Sequence, residues 1–163
     1  MRDADGALTR RLILQGAIAC GLAGLGVAAS GFWPALASDA PNWPSEAFKQ
    51  KNEADALKAL FGGRTAEVSE NVKLDAPEIA ENGAVVPIAV SSTLPNVTSI
   101  SILVMENPYA LAASYKMGPA TAPAVANRLK MAQTSKVVAV VESDDKLYST
   151  TREVKVTVGG CGG

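Results

Sequence analysis

Val137-Val138-Ala139-Val140-Val141 and the stretch from Leu147 to Val158 decide the fold of this chain. Four valines in the five positions of the first stretch are typical of a β-strand. Asp144-Asp145 then predicts a turn. The second stretch closes with Val-Lys-Val-Thr-Val at 154–158, where apolar and polar residues alternate as they do along a strand. The two stretches therefore predict successive strands joined by a short turn.

The segments before this pair repeat the same pattern of short strands separated by turn residues. The earlier candidates are Val68–Leu74, Ala84–Ser92, Val97–Glu106, Tyr109–Tyr115 and Ala124–Met131. Together they give about seven strands, which favours a mainly β protein with an immunoglobulin-like antiparallel β-sandwich. Neither cysteine lies within these strands, so no Cys…Trp…Cys core is available and an antibody-type domain is excluded.

One of these candidates, Val97–Glu106, alternates clearly enough to predict which of its faces is buried. Ile100, Ile102 and Val104 fall on one face, and serines occupy two positions of the other. This pattern predicts a half-buried strand with one apolar face.

A helix is predicted in front of the strands, from Ser45 to Phe61. Phe48, Leu57 and Phe61 fall near one face, and Gly62-Gly63 provides the residues that commonly end a helix. We expect one amphipathic helix that covers an edge or an end of the β domain.

The composition excludes several classes of chemistry. The 163 residues contain no histidine and two cysteines, Cys20 and Cys161. A Ser-His-Asp or Cys-His nucleophile and a Cys/His zinc site therefore cannot be assembled, and we expect no metal, no cofactor and no catalytic residue. The formal net charge of −1 comes without a basic block, so we expect no nucleic-acid partner.

Residues 1–37 have the features of an export signal. Arg10 and Arg11 precede an apolar run, and Ala35 and Ala37 provide the small residues at which signal peptidases cut. The arginine pair resembles the twin-arginine signal of bacteria, which predicts export to the periplasm and cleavage after Ala37. A transmembrane anchor stays open, because the apolar run is about 20 residues long. A lipoprotein with its lipid on Cys20 is a further alternative.

The sequence closes with Gly159-Gly160-Cys161-Gly162-Gly163. Cys161 is the cysteine that would remain after signal cleavage. Glycine has no Cβ and restricts the backbone least, so Gly159, Gly160, Gly162 and Gly163 predict a flexible arm. Five extended residues reach roughly 17 Å, enough to carry a thiol into the pocket of another protein.

The predicted organisation is therefore a signal at 1–37, a domain at 38–158 with its helix in front of the β-sandwich, and an arm at 159–163. Two other interpretations of the arm stay open. It could be a frayed terminus without a role, or its cysteine could form a disulfide with a partner, because an exported protein meets oxidising conditions.

The glycine–cysteine segment resembles the arm of the SoxY family, the substrate-carrying subunits of bacterial thiosulfate oxidation. The paired arginines, Leu60-Phe61-Gly62-Gly63, the segment Ala76–Gly83 and the closing valine-rich strands are also similar to that family. The resemblance implies that the domain at 38–158 is a carrier domain, and that Cys161 is the site of covalent substrate attachment.

The resemblance also implies a set of partners and a division of labour. A SoxZ-like subunit would form a heterodimer with the chain, and the c-type cytochrome SoxAX would join thiosulfate oxidatively to the Cys161 thiolate. The hydrolase SoxB would release sulfate and leave a persulfide, which a sulfane dehydrogenase, SoxCD, would oxidise further. The chain itself would not be an enzyme, and it would not stay on the membrane after signal cleavage.

Two hypotheses of other kinds remain at this stage. A carrier activated by adenylation of a terminal Gly-Gly would use Gly162-Gly163 and tolerate serine at position 161. An exported assembly domain would instead use Cys161 for a permanent intermolecular disulfide.

Overall fold

A computed structural model describes residues 43–158, which form one helix and nine strands within a single compact unit. A 3-10 turn at Ala47–Lys49 precedes α1, Glu53–Phe61. The strands are β1 Ala66–Val68, β2 Val72–Asp75, β3 Ile79–Ala80, β4 Val86–Ser92, β5 Val97–Val104, β6 Leu111–Lys116, β7 Ala124–Leu129, β8 Ser135–Ser143 and β9 Lys146–Val156. Among these residues, no helix is long and apolar enough to cross a membrane.

The strands form two sheets that pack as a sandwich, which confirms the predicted mainly β fold. The larger sheet has the order β1-β9-β8-β5-β6, and β3 pairs with the end of β9. The smaller sheet has the order β2-β4-β7. The pairing is antiparallel except for β1 and β3, which both run parallel to β9.

The predicted count of about seven strands is too low because the shortest strands leave little pattern in the sequence. The first candidate, Val68–Leu74, divides into β1 and β2, which belong to different sheets. β3 has two residues and lies in a segment whose proline and glycine predict a turn. Strands this short are defined by their pairing with β9 rather than by periodicity.

The main core lies between the two sheets. It is built from buried side chains of the central strands, namely Val86, Ile88, Val90, Ile100, Ile102, Val104, Val137, Ala139 and Val141. Burial of these aliphatic side chains supplies the main driving force for folding of the sandwich.

A second cluster covers the outer face of the larger sheet. Leu103, Leu111 and Val138 contribute to it from the sheet, and Ala56 and Phe61 from α1. The expectation that the helix covers an edge or an end is therefore wrong, because it covers a face. The predicted half-burial of β5 is also wrong. Every residue of that strand from 99 to 104 is buried, because the helix covers the outer face of the sheet.

The predicted helix from Ser45 to Phe61 is shorter in the structure. Gln50 is extended, with ψ at 138°, and its carbonyl accepts a hydrogen bond from the Ala110 amide at 2.9 Å. Asn52 then caps α1, its side-chain oxygen accepting from the Asp55 amide at 2.9 Å. Gly62 ends the helix in the left-handed region with φ at 68°, as the glycine pair predicts.

Candidate functional site at the end of the last strand

The site residues predicted from the sequence lie outside the described part of the chain. This holds for Cys161, the predicted substrate-attachment residue, for the four glycines Gly159, Gly160, Gly162 and Gly163, and for the predicted signal residues Arg10, Arg11, Ala35 and Ala37. The description ends at Val158, three residues before Cys161. The structure therefore defines the residues directly before 159–163, and we call residues 155–158 the base.

On one side, this base is supported from the start of β8. Pairing between β8 and β9 begins at Ser135 and Val154, so Val156 lies beyond the paired residues. Its amide donates instead to the hydroxyl of Thr134, at 2.9 Å. The Thr134 side chain thus binds β9 beyond the last residue that pairs with β8.

On the other side, Glu78–Gly83 holds the base through main-chain hydrogen bonds; we call this range the supporting segment. The amide of Lys155 donates to the carbonyl of Glu78 at 2.9 Å, and the amide of Thr157 donates to that of Ala80 at 3.1 Å. The amide of Gly83 donates to the carbonyl of Val158 at 2.8 Å.

A side chain strengthens this attachment. The hydroxyl of Thr157 donates to the carbonyl of Glu81 at 3.0 Å. Thr157 therefore binds the supporting segment through both its amide and its hydroxyl. A net contribution of about 1 kcal/mol is typical of each such bond.

The supporting segment is itself anchored to the sandwich. Ala80 is buried in the main core, and the Gly83 carbonyl accepts from the Met131 amide at 2.7 Å. The side-chain oxygen of Asn82 accepts from the Ala84 amide at 2.8 Å and shapes the turn that follows. These contacts with the sandwich therefore fix the position and direction of the chain at Val158.

Cys161 stays a prediction from the sequence, which did not indicate the residues that support the base. Glu81-Asn82-Gly83 indicates only a turn, and Thr134 and Thr157 carry no motif. A usable signal was the valine alternation, which continues to Val158, directly before the first glycine of the arm. This alternation indicates that the backbone is ordered up to Val158.

Potential metal ligands and shifted pKa values were sought across the described residues. Within residues 43–158, no group of three or more histidine, cysteine, aspartate or glutamate side chains could hold a metal ion. Glu142, whose pKa is lowered from its ordinary value, lies next to the β8–β9 turn at the opposite end of β9. The described contacts hold the end of β9 in place.

Comparison with known families identifies the group to which the chain is related. A family model described as sulfur oxidation protein SoxY matches residues 57–161, a range that includes both the supporting segment and Cys161. The chain belongs to the SoxY family. The predicted resemblance to this family is therefore confirmed.

A solved structure agrees with this assignment. The sulfur carrier protein SoxY from Chlorobium limicola f thiosulfatophilum is 43% identical, with a TM-score of 0.59. The match covers 64% of this chain and 94% of that one. A superoxide reductase (neelaredoxin) from Ignicoccus hospitalis matches at 20% identity over 53% of this chain and 80% of that one, with a TM-score of 0.48. That likeness is too distant to bear on function. No curated protein sequence matches the chain.

Proposed function

We propose that this SoxY family member is a periplasmic sulfur carrier that holds thiosulfate-derived sulfur covalently on Cys161. The family match carries the proposal, because it extends through Cys161, the one cysteine that follows the predicted signal. The hydrogen bonds around Val158 support it, since they fix the point from which the Cys161 segment leaves the domain.

Two balanced steps describe the proposed chemistry. In the first, the Cys161 thiol and thiosulfate form a sulfur–sulfur bond, giving a cysteine S-thiosulfonate, one proton and two electrons. A c-type cytochrome partner of the SoxAX kind accepts the electrons. In the second, water attacks the terminal sulfur, and the products are sulfate, one proton and a persulfide on Cys161. A hydrolase of the SoxB kind catalyses this step, and a SoxCD-like dehydrogenase acts on the persulfide sulfur.

The carrier itself is proposed not to be an enzyme. A thiol must lose its proton before it attacks or is oxidised, and histidine, the commonest base for that purpose, is absent from the sequence. A carried thiol can instead be deprotonated within the site of each partner. The glycines on both sides of Cys161 add no side-chain bulk, so narrow sites can admit the segment.

The cellular setting is part of the same proposal. Arg10 and Arg11 direct the folded chain through the twin-arginine route, and cleavage near Ala37 releases it into the periplasm. Export in the folded state allows a SoxZ-like subunit without its own signal to leave as a heterodimer with this chain. The mature carrier then moves between SoxAX, SoxB and SoxCD without remaining on the membrane.

Thiosulfate-dependent reduction of the cytochrome tests the proposal. Purified carrier with its SoxZ-like subunit, the cytochrome and thiosulfate should release two electrons for each carrier molecule loaded. Cys161→Ser should abolish this electron release, and Ser149→Ala on β9 serves as a control that keeps Cys161. Equal electron release from the Cys161→Ser variant would overturn the proposal.

A further inference from the structure

Asn82-Gly83 is the one Asn-Gly pair in the sequence, and it lies in the supporting segment. The side-chain amide of an asparagine can be attacked by the main-chain nitrogen of the next residue, which closes a five-membered succinimide ring. Glycine in the second position favours this attack, because it has no Cβ to crowd the approach and restricts the backbone least. Asn82 is therefore the asparagine of this chain with the greatest intrinsic tendency to deamidate.

The deamidation reaction needs only water and hydroxide. The Gly83 nitrogen loses its proton to hydroxide and forms a bond to Cγ of Asn82, while the bond from Cγ to Nδ2 breaks and ammonia leaves. Water then opens the succinimide ring at one of its two carbonyl groups. The product at position 82 is either aspartate or isoaspartate, and in isoaspartate the main chain runs through the side-chain carboxyl group and is one methylene longer.

The structure prepares the carbon atom that is attacked. The side-chain oxygen of Asn82 accepts a hydrogen bond from the Ala84 amide at 2.8 Å. A donor in this position stabilises the negative charge that develops on the oxygen during the attack. Asn82 is also exposed, so that water and hydroxide reach its side chain.

The attacking nitrogen, by contrast, is held in an unreactive state. The Gly83 amide donates its hydrogen to the Val158 carbonyl at 2.8 Å, and Gly83 is buried. The proton of a buried hydrogen bond reaches solvent only when the surrounding structure opens locally. The Gly83 carbonyl accepts from the Met131 amide at 2.7 Å, which holds the residue from its other side. The bond to Val158 therefore blocks the step that starts the reaction.

We propose that Asn82 is a deamidation site that the Gly83–Val158 hydrogen bond protects, so that the modification follows detachment of the base. Isoaspartate at position 82 lengthens the main chain between the Glu81 carbonyl and the Gly83 amide, which both bind the base. The longer chain cannot keep both bonds in their present geometry, so the modification makes the detachment permanent. The inference concerns the domain alone and holds whatever group the cysteine segment carries.

The test measures deamidation of the purified full chain at mildly alkaline pH, with and without urea. Peptide mapping by mass spectrometry quantifies aspartate and isoaspartate at position 82. Hydrogen exchange of the Gly83 amide is followed in the same folded samples, because opening of its bond to Val158 is the event that should control both rates.

Three variants separate local opening from global unfolding. Thr157→Val removes the hydroxyl bond to the Glu81 carbonyl, and Thr134→Val removes the acceptor of the Val156 amide, so both loosen the base. Arg64→Ala is the control, because it weakens the fold next to the β8–β9 turn, at the opposite end of β9.

In urea, Asn82 should deamidate faster than the other asparagines, and folding should slow this reaction by about tenfold or more because its nucleophile is then blocked. Thr157→Val should raise the rate in the folded protein about three- to fivefold, as the loss of one hydrogen bond predicts, and Gly83 exchange by the same factor. Thr134→Val should act in the same direction. Arg64→Ala should leave both rates unchanged.

Three results would overturn the inference. Equal deamidation of folded and urea-unfolded protein shows that the bond to Val158 does not protect Asn82. Equal acceleration by Arg64→Ala and Thr157→Val shows that the reaction proceeds through unfolding of the whole domain. An unchanged deamidation rate in both threonine variants shows that detachment of the base does not control it. The proposed function stands in each case, because it is tested separately at Cys161.

Discussion

Two short strands, β1 and β3, pair in parallel with the two ends of β9. The contacts made at these two ends differ. At the first end, near β1, the Arg64 side chain forms an ion pair with Glu142 and donates to the Asp145 carbonyl at 2.8 Å. At the second end, near β3, main-chain groups and the Thr157 hydroxyl make the contacts. We call these the hairpin end and the arm end.

The difference indicates that the hairpin end and the arm end of β9 have different roles. The hairpin end uses charged side chains to join the region after α1 to the β8–β9 turn, which serves stability. The arm end is held through its backbone, so the side chains of Ile79, Val85 and Val158 stay exposed to solvent. Backbone support thus fixes the end of β9 without using these side chains.

The largest expected effect comes from dislodging the supporting segment. Ala80→Asp places a carboxylate at a position 6% exposed in the main core, so the free energy of unfolding should fall by about 3 kcal/mol. Ala126→Asp on β7 is the control, because that side chain is exposed and should change stability by less than about 0.5 kcal/mol. Urea unfolding measures both, and equal stabilities would show that the arm end is not anchored through Ala80.

Removing the charged link at the hairpin end should have a smaller effect. Arg64→Ala loses the ion pair with Glu142 and the bonds to the Phe61 and Asp145 carbonyls, and should cost about 1–2 kcal/mol. Lys49→Ala removes an exposed pair with Glu46 and should cost close to zero. Thermal unfolding compares the two. A larger loss from Lys49→Ala would contradict the role assigned to Arg64.

The hairpin end should also give stability a dependence on pH. Partial burial raises the pKa of Glu142, but hydrogen bonds from Arg64 and Ser99 outweigh it and hold the pKa below its ordinary value of 4.5. A lowered folded-state pKa stabilises the fold above the unfolded-state value, and this stabilisation is lost as the pH falls through the folded-state pKa.

Glu142→Gln tests that dependence. The wild type should be more stable by about 1 kcal/mol at pH 7, and the difference should shrink as the pH falls below 4.5. Urea unfolding from pH 7 to pH 3 measures it. A difference that grows on acidification would reverse the sign and refute the account of Glu142.

The smallest effect is expected from the hydroxyl at the arm end. Thr157→Val removes the bond to the Glu81 carbonyl and keeps the shape, so the amides of Gly83 and Thr157 should exchange hydrogen about three- to fivefold faster. The amide of Ser69, which donates to Ser149 at the hairpin end, should be unaffected. Thr151→Val, also on β9, is the control. Faster exchange at both ends would remove the distinction between them.

The sequence predicted the long strands well because their pattern is strong. β8 and β9 agree with the predicted positions, since four valines in five residues and a clear alternation leave few other interpretations. The half-burial predicted for β5 was wrong because serines on one face of a strand usually indicate that this face is exposed to solvent. In the structure, Ser101 is buried and bonds to Ser114 at 3.0 Å, and Ser99 donates to Glu142 at 3.1 Å.

The candidate site combines a residue that stays a prediction from local sequence with contacts that only the structure shows. Cys161 was predicted because a cysteine between glycine pairs is distinctive in local sequence. The supporting segment could not be predicted, since β9 contacts it through main-chain groups that every residue shares. The shortened helix could not be predicted for a similar reason. The Gln50 carbonyl accepts a hydrogen bond from the Ala110 amide, which is 60 residues away in the sequence.

The mass of the protein from its own cells tests the central claim most directly. The protein is isolated from thiosulfate-grown cells together with the proposed SoxZ-like subunit, and the mass of the peptide containing Cys161 is measured before and after reductant. A mass gain matching a persulfide or an S-thiosulfonate, lost on reduction, is the predicted result. A bare thiol, or a dimer joined through Cys161 without added sulfur, would contradict the carrier role.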